Sequence, residues 1–176
     1  MSDIKKVLIT ETEIQEKISE LAKKITTDYK DKDLLLVGIL KGAIVFMADL
    51  MREIKLPLTF EFMDIVSYEG STTTGEVRIL KDLSTSVEGK DILIVEDIID
   101  TGLTLNYLTQ VLKSRGAHSV SIVTLLSKPK RRRIDIFVKY VGFEIPDEFV
   151  IGYGMDFNEK YRNLPNISIL DESAYL

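Results

Sequence analysis

Glu96, Asp97, Asp100, Thr101, Gly102 and Thr104 fall within nine residues of one another and follow directly on the apolar run Ile92–Val95. Each type has a distinct chemistry. Two adjacent carboxylates repel each other and are costly to desolvate, so a pair at the end of a buried strand calls for diol hydroxyls or a magnesium ion to satisfy it. The Asp100–Thr104 turn offers backbone N–H groups at the start of a helix, where free donors and the macrodipole favour a dianionic phosphate. Glycine at 102 permits the tight turn this needs.

The elements around the motif are those that would place it at a sheet edge. Ile92–Val95 reads as a buried parallel strand, and Thr104–Arg115 as a helix with Leu105, Leu108, Val111 and Leu112 on one face. The Asp100-Thr101-Gly102 tripeptide also occurs in aspartic proteases. That chemistry needs two such tripeptides in an all-β chain, whereas this sequence has one, between a strand and a helix.

Upstream, Thr10 with Glu13 forms a capping-box pattern ahead of Ile14, Ile18, Leu21, Ala22 and Ile25 at helical spacing. Leu34–Leu40 reads as a buried strand, and Lys41-Gly42 opens an apolar helix running to about Ile54. Pro57 introduces a strand over Leu58–Val66. The polar, glycine-flanked segment from Ser67 to Val77 reads as a mobile loop. Strands over Val77–Lys81, Val120–Leu126 and Phe137–Gly142 complete an alternating α/β pattern, that of a doubly wound sheet.

The 176 residues fit one domain with a real core, and 45% hydrophobic with 29% charged content is globular. A net charge of -5 argues against nonspecific nucleic-acid binding. The absence of cysteine excludes disulfides and thiolate chemistry. No apolar run approaches the roughly 20 residues of a membrane span and no signal-peptide pattern is present, so no membrane partner and a cytoplasmic location are expected.

Val95 to Leu105 resembles the phosphoribosyl pyrophosphate (PRPP) signature of the type I phosphoribosyltransferases. Leu40-Lys41-Gly42, Ser67-Tyr68, Leu126-Ser127-Lys128-Pro129 and the segments 141–147 and 155–159 are similar to the hypoxanthine-guanine branch, so the resemblance spans about residues 34 to 170. It implies the type I fold, a mainly parallel sheet flanked by helices in a single domain over 1–176, with a small hood from part of the N-terminus and the C-terminal third. It further implies transfer of a phosphoribosyl group from PRPP to hypoxanthine or guanine, giving IMP or GMP and pyrophosphate, with Mg2+.

Residue by residue, the resemblance assigns Asp100 to the purine proton, and Glu96 and Asp97 to the PRPP ribose and magnesium. The 5'-phosphate falls to Asp100, Thr101, Gly102, Leu103 and Thr104, although many relatives carry a polar residue where Leu103 stands. Lys41, Gly42 and Arg162 fall at pyrophosphate, with the peptide before Lys41 often cis in the family. Asp156 matches a magnesium ligand. Ile98, Lys128, Phe149 and Val150 fall at the purine, and Ser67 and Tyr68 in a flexible lid. An ammonium has donors and no acceptor, so Lys128 suits the carbonyl of an oxopurine and mismatches the amino group of adenine. The rest of the basic run, Lys130 to Arg133, reads as a solvated turn, and Tyr153, Tyr161 and His118 as structural. By the same analogy the chain is a homodimer or homotetramer. A nucleotide-sensing regulator on the same fold, and an enzyme for xanthine, adenine or a pyrimidine, are the rival readings.

Overall fold

In the computed structural model, residues 3–68 and 76–175 are described, 68 and 76 by their backbone alone. The larger sheet is built from β2 (Leu34–Leu40), β3 (Thr59–Tyr68), β4 (Glu76–Lys81), β5 (Asp91–Ile99), β6 (Ser119–Ser127) and β7 (Tyr140–Glu144). Their order is β4-β3-β2-β5-β6-β7. All neighbours pair parallel except β4, which returns antiparallel along β3.

Both faces of this sheet are covered, which is why β2 is apolar throughout and β5 is apolar over Ile92–Val95. Leu34, Leu36, Leu93 and Val95 pack with α1 (Glu11–Asp28) and α2 (Ile44–Glu53). Their alternates Leu35, Val37, Ile92 and Ile94 pack on Leu105, Leu108 and Leu112 of α3 (Leu103–Ser114). The capping box of α1 forms as its spacing predicts, with Thr10 and Glu13 each bonding the other's backbone N–H.

Strand order reverses between β2 and β5. From β2 the chain moves outward to β3, and from β5 it moves the other way to β6 and β7. At such a switch point the two connections diverge and leave a crevice beyond the carboxyl ends of the strands. Here those ends are Lys41-Gly42 and Glu96–Asp100.

A second, antiparallel sheet joins β1 (Ile4–Ile9), β9 (Ile167–Leu170) and β8 (Val150–Ile151) in the order β1-β9-β8. The sequence reading has no strand over β1 or β9, although it assigns a hood to part of the N-terminus and the C-terminal third. Two boundaries also move. Glu96, Asp97 and Ile98 lie inside β5, because β6 keeps pairing with it as far as Ile99↔Ser127 after β2 has stopped at Gly38↔Val95. The last parallel strand begins at Tyr140 opposite Val123, leaving Phe137 outside it and 83% exposed.

Candidate functional site

Each element that ends at the crevice delivers a reactive side chain by its register. Since Ile99 pairs with Ser127, the next residues of each strand, Asp100 and Lys128, arrive side by side. Lys128 N–H donates to the Ile99 carbonyl at 3.0 Å, and its ammonium lies 3.9 Å from Asp100 Oδ1 and 4.0 Å from Asp147 Oδ1. Only 8% of the Lys128 side chain is exposed, far less than a solvated turn would give it. Asp100 Oδ1 is itself buried and lacks a hydrogen-bond partner among the described residues. Buried oxygens are rarely left so; this one faces the Lys128 ammonium, while 45% of the Asp100 side chain stays exposed and lets the carboxylate accept a ligand's proton.

Two adjoining clefts share Asp97, Ile98 and Asp100. The first is completed by Lys128, Phe149, Val150, Met155 and Asp156. It combines an aromatic ring, apolar walls and a buried ammonium, a lining suited to a flat heterocycle with a carbonyl. The second includes Ser67, Glu96, Thr101, Gly102 and Thr104. Its floor is the start of α3, where Gly102 takes the N-cap position at φ 84° and supplies no side-chain cap. In that left-handed conformation glycine is unstrained, and the N-cap residue has no side chain to compete with an anion for the first-turn amides. Leu103, half-buried, lines neither cleft; its N–H reaches Thr101 Oγ1 only at 3.3 Å.

Electrostatics set Glu96 and Asp97, the adjacent acids of β5, apart from ordinary carboxylates. Burial, and then repulsion from Asp97, holds Glu96 well above the usual range. Burial also raises Asp97, against hydrogen bonds from its surroundings and the nearby Arg162 charge. A bound cation would relieve both. Asp97 Oδ1 accepts the Ile98 N–H at 2.7 Å, which fixes its orientation.

Lys41, Gly42 and Arg162 do not line either cleft; Gly42 packs against Asp97 and Arg162 pairs with Asp156, both of them lining residues. The Leu40–Lys41 peptide is cis. The Lys41 ammonium pairs with Glu159 Oε2 at 2.7 Å, and Arg162 Nη2 meets Asp156 Oδ1 at 3.1 Å and Glu159 Oε1 at 3.2 Å. Arg162 Nη1 donates to the Gly154 carbonyl at 2.8 Å, while its buried Nε has no partner among the described residues. Ser67, expected in a flexible lid with Tyr68, instead lies with it in β3, where Ser67 pairs with Val77 and lines the second cleft. The side chain of Tyr68 and residues 69–75 lie outside the described residues.

Sequence reasoning passed over two groups here. Arg132, read as part of a solvated turn, bends back so that Nη2 donates to Ser127 Oγ at 2.9 Å and Nη1 reaches the Asp100 carbonyl at 3.4 Å. Asp147 holds both Lys128 and Arg131, the latter at 3.2 Å. A basic run carries no mark of which member turns inward, so no signal was available. Tyr153 and Tyr161, expected to be structural, donate their hydroxyls to Asp49 and Asp3 respectively.

A phosphoribosyl transferase domain matches residues 9–158. Hypoxanthine-guanine phosphoribosyltransferase of Bacillus subtilis is 56% identical over 174 residues, which cover 98% of this chain and 97% of the relative. That of Staphylococcus aureus strain N315 is 54% identical over 175 residues, covering 99% of this chain and 98% of the relative. Among solved structures, a hypoxanthine phosphoribosyltransferase from Staphylococcus aureus superposes with TM-score 0.96 at 52% identity, over 99% of this chain and 96% of the other. A mutant hypoxanthine phosphoribosyltransferase from Trypanosoma cruzi, in a ternary substrates complex, gives TM-score 0.95 at 42% identity over 100% of both chains. With a parallel sheet that opens at its switch point onto a carboxylate pair and an uncapped helix start, the chain belongs to the phosphoribosyltransferase family, in its hypoxanthine-guanine branch.

Proposed function

We infer that the chain works in purine salvage, transferring the 5-phosphoribosyl group of PRPP to hypoxanthine or guanine to give IMP or GMP and pyrophosphate. The observation that carries this reading is the 56% identity, over nearly the whole of both chains, to a hypoxanthine-guanine enzyme. The pairing of Lys128 with Asp100 in one cleft supports the choice of base.

In this mechanism the bond from the anomeric carbon to pyrophosphate breaks as the bond to the purine nitrogen forms, with oxocarbenium character at the carbon. Asp100 accepts the proton from the purine's imidazole edge; its carboxylate lines the first cleft with 45% of the side chain exposed, which suits that task. Lys128 donates to the carbonyl at position six, while Ile98 and the Phe149 ring sandwich the base and Val150 reads it by backbone. Thr101 to Thr104, with Asp100, hold the 5'-phosphate at the start of α3. Lys41 and Gly42 present the pyrophosphate end with Arg162, the two cations exchanging Glu159 for phosphate oxygens. Placement and fixed charge carry most of the rate.

Glu96, Asp97 and Asp156 are suited to magnesium. Among the described residues no group of three or more His, Cys, Asp or Glu could hold a metal alone. Magnesium in phosphoryl-type sites is held through one or two carboxylates with water and substrate oxygens completing the shell, so this donor set fits. The chemistry such an ion supplies when bound is neutralisation of charge on the phosphate oxygens.

The antiparallel sheet β1-β9-β8 serves as the hood over the cleft, so that 1–176 forms one domain. The protein acts in the cytoplasm as a homodimer or homotetramer; among the described residues no helix is long and apolar enough to cross a membrane. Pyrophosphate release from PRPP and Mg2+, measured with hypoxanthine, guanine, xanthine, adenine and uracil in turn, tests the activity. Release with the two oxopurines above the others is expected, and preference for adenine or uracil would overturn it. Sedimentation at several concentrations checks the assembly.

A further inference from the structure

Phe149 occupies an exposed connection between β7 and the two-residue β8, and 40% of its surface is accessible. A ring so placed needs outside support to hold one orientation, since backbone pairing on so short a strand constrains it little. Among the described residues two rings supply contacts. Phe157 meets it edge-on, with centroids 5.7 Å apart and planes at 86°. Tyr175 lies 5.5 Å away with planes at 30°.

Phe149 lines the first cleft, whereas Tyr175 does not. The tyrosine's own position is tied to the same backbone. Leu170 N–H, at the end of β9, donates to the Phe149 carbonyl at 2.9 Å. Asp171 then caps a single helical turn over Glu172–Ala174, accepting from Ser173 N–H at 3.0 Å, and its own N–H donates to the Asp3 carbonyl at 2.8 Å. One strand end therefore fixes the backbone of Phe149 and delivers the ring packed against it.

We propose that Tyr175 is a positioning residue for the base, holding the Phe149 ring in the plane that stacks on the purine. This rests on the reading of Phe149 as the purine-stacking ring. The contact is between rings; no bond from the Tyr175 hydroxyl to Phe149 is involved, so phenylalanine should serve as well as tyrosine. An aromatic pair of this kind corresponds to roughly a two- to tenfold effect on an equilibrium.

The test compares wild type with Tyr175→Ala, Tyr175→Leu, Tyr175→Phe, Phe149→Ala and the double variant Tyr175→Ala/Phe149→Ala. KM for hypoxanthine and for PRPP is measured in each, with kcat. Tyr175→Ala and Tyr175→Leu should raise KM for hypoxanthine about two- to tenfold with KM for PRPP and kcat unchanged. Tyr175→Phe should restore it, and the double variant should be no worse than Phe149→Ala alone. Unchanged KM for hypoxanthine in Tyr175→Ala, an equal rise in both KM values, or full additivity in the double variant would overturn the proposal. If Phe149→Ala itself leaves KM for hypoxanthine unchanged, the stacking role of Phe149 fails first.

Discussion

A Cβ added at Gly42 would sit 1.9 Å from Asp97 Oδ2. The loop after β2 therefore runs directly against the carboxylate at the end of β5, and no side chain fits between them. Two walls of the crevice, from strands on either side of the switch point, are fitted to each other at this spot.

Gly42→Ala must then displace either the Lys41-Gly42 loop or the Asp97 carboxylate. A shift of about 1 Å in such a group costs on the order of 10²-fold in rate. The variant is expected to lose about that much in kcat/KM for PRPP while keeping its fold. Circular dichroism and steady-state kinetics check both, and near wild-type kcat/KM would mean that Asp97 tolerates the move.

Asp100 carries the second expectation. Asparagine preserves the shape of the side chain and cannot take up a proton. Turnover should fall by roughly 10² to 10⁴, the usual contribution of a general acid or base, with PRPP affinity retained. Pre-steady-state product formation and equilibrium PRPP binding separate the two; turnover close to wild type would remove Asp100 from proton transfer.

Alkaline pH should expose three tyrosines together. Burial, then a hydrogen bond to a nearby carboxylate, raises the phenols of Tyr140 and Tyr153, bonded to Asp28 and Asp49; burial also raises Tyr29. A phenol whose folded pKa exceeds the unfolded value of about 10 contributes stability that is full below that pH and is lost as pH rises further. Ultraviolet titration should therefore show these phenols ionising only as the protein unfolds, and Tyr140→Phe or Tyr153→Phe should weaken the pH dependence of unfolding above about pH 10. Their independent ionisation in the native protein near that pH would contradict the burial argument.

Much of the main sheet was readable in the sequence because its inner strands are buried on both faces, and such strands are written as unbroken runs such as Leu34–Leu40. The antiparallel sheet left no such trace. β1 alternates weakly, with Lys5, Lys6 and Val7 exposed or nearly so, and β8 has only two residues. The site divides in the same way. The Glu96–Thr104 motif is contiguous, and its order alone implied strand, acids and phosphate turn. Arg132 and Asp147 act through Asp100 and Lys128 across separate connections, a contact that depends on the register Ile99↔Ser127 and appears only in three dimensions.

Lys128 gives the sharpest expectation, because two carboxylates hold its buried ammonium within 4.0 Å on the floor of the first cleft. Held there, it offers donors and no acceptor to an incoming base. Lys128→Met keeps the length and removes the charge, while Arg131 continues to neutralise Asp147 at 3.2 Å. Hypoxanthine and guanine then lose a charge-assisted hydrogen bond of about 1.5 to 3 kcal/mol, roughly 10- to 150-fold in kcat/KM. Adenine loses nothing, since its amino group faced a donor in the wild type. The oxopurine preference should therefore narrow through the oxopurines alone, which kcat/KM for the three bases in both proteins will measure. An unchanged ratio would mean that the buried ammonium serves only to hold Asp100 and Asp147, and that another group selects the base.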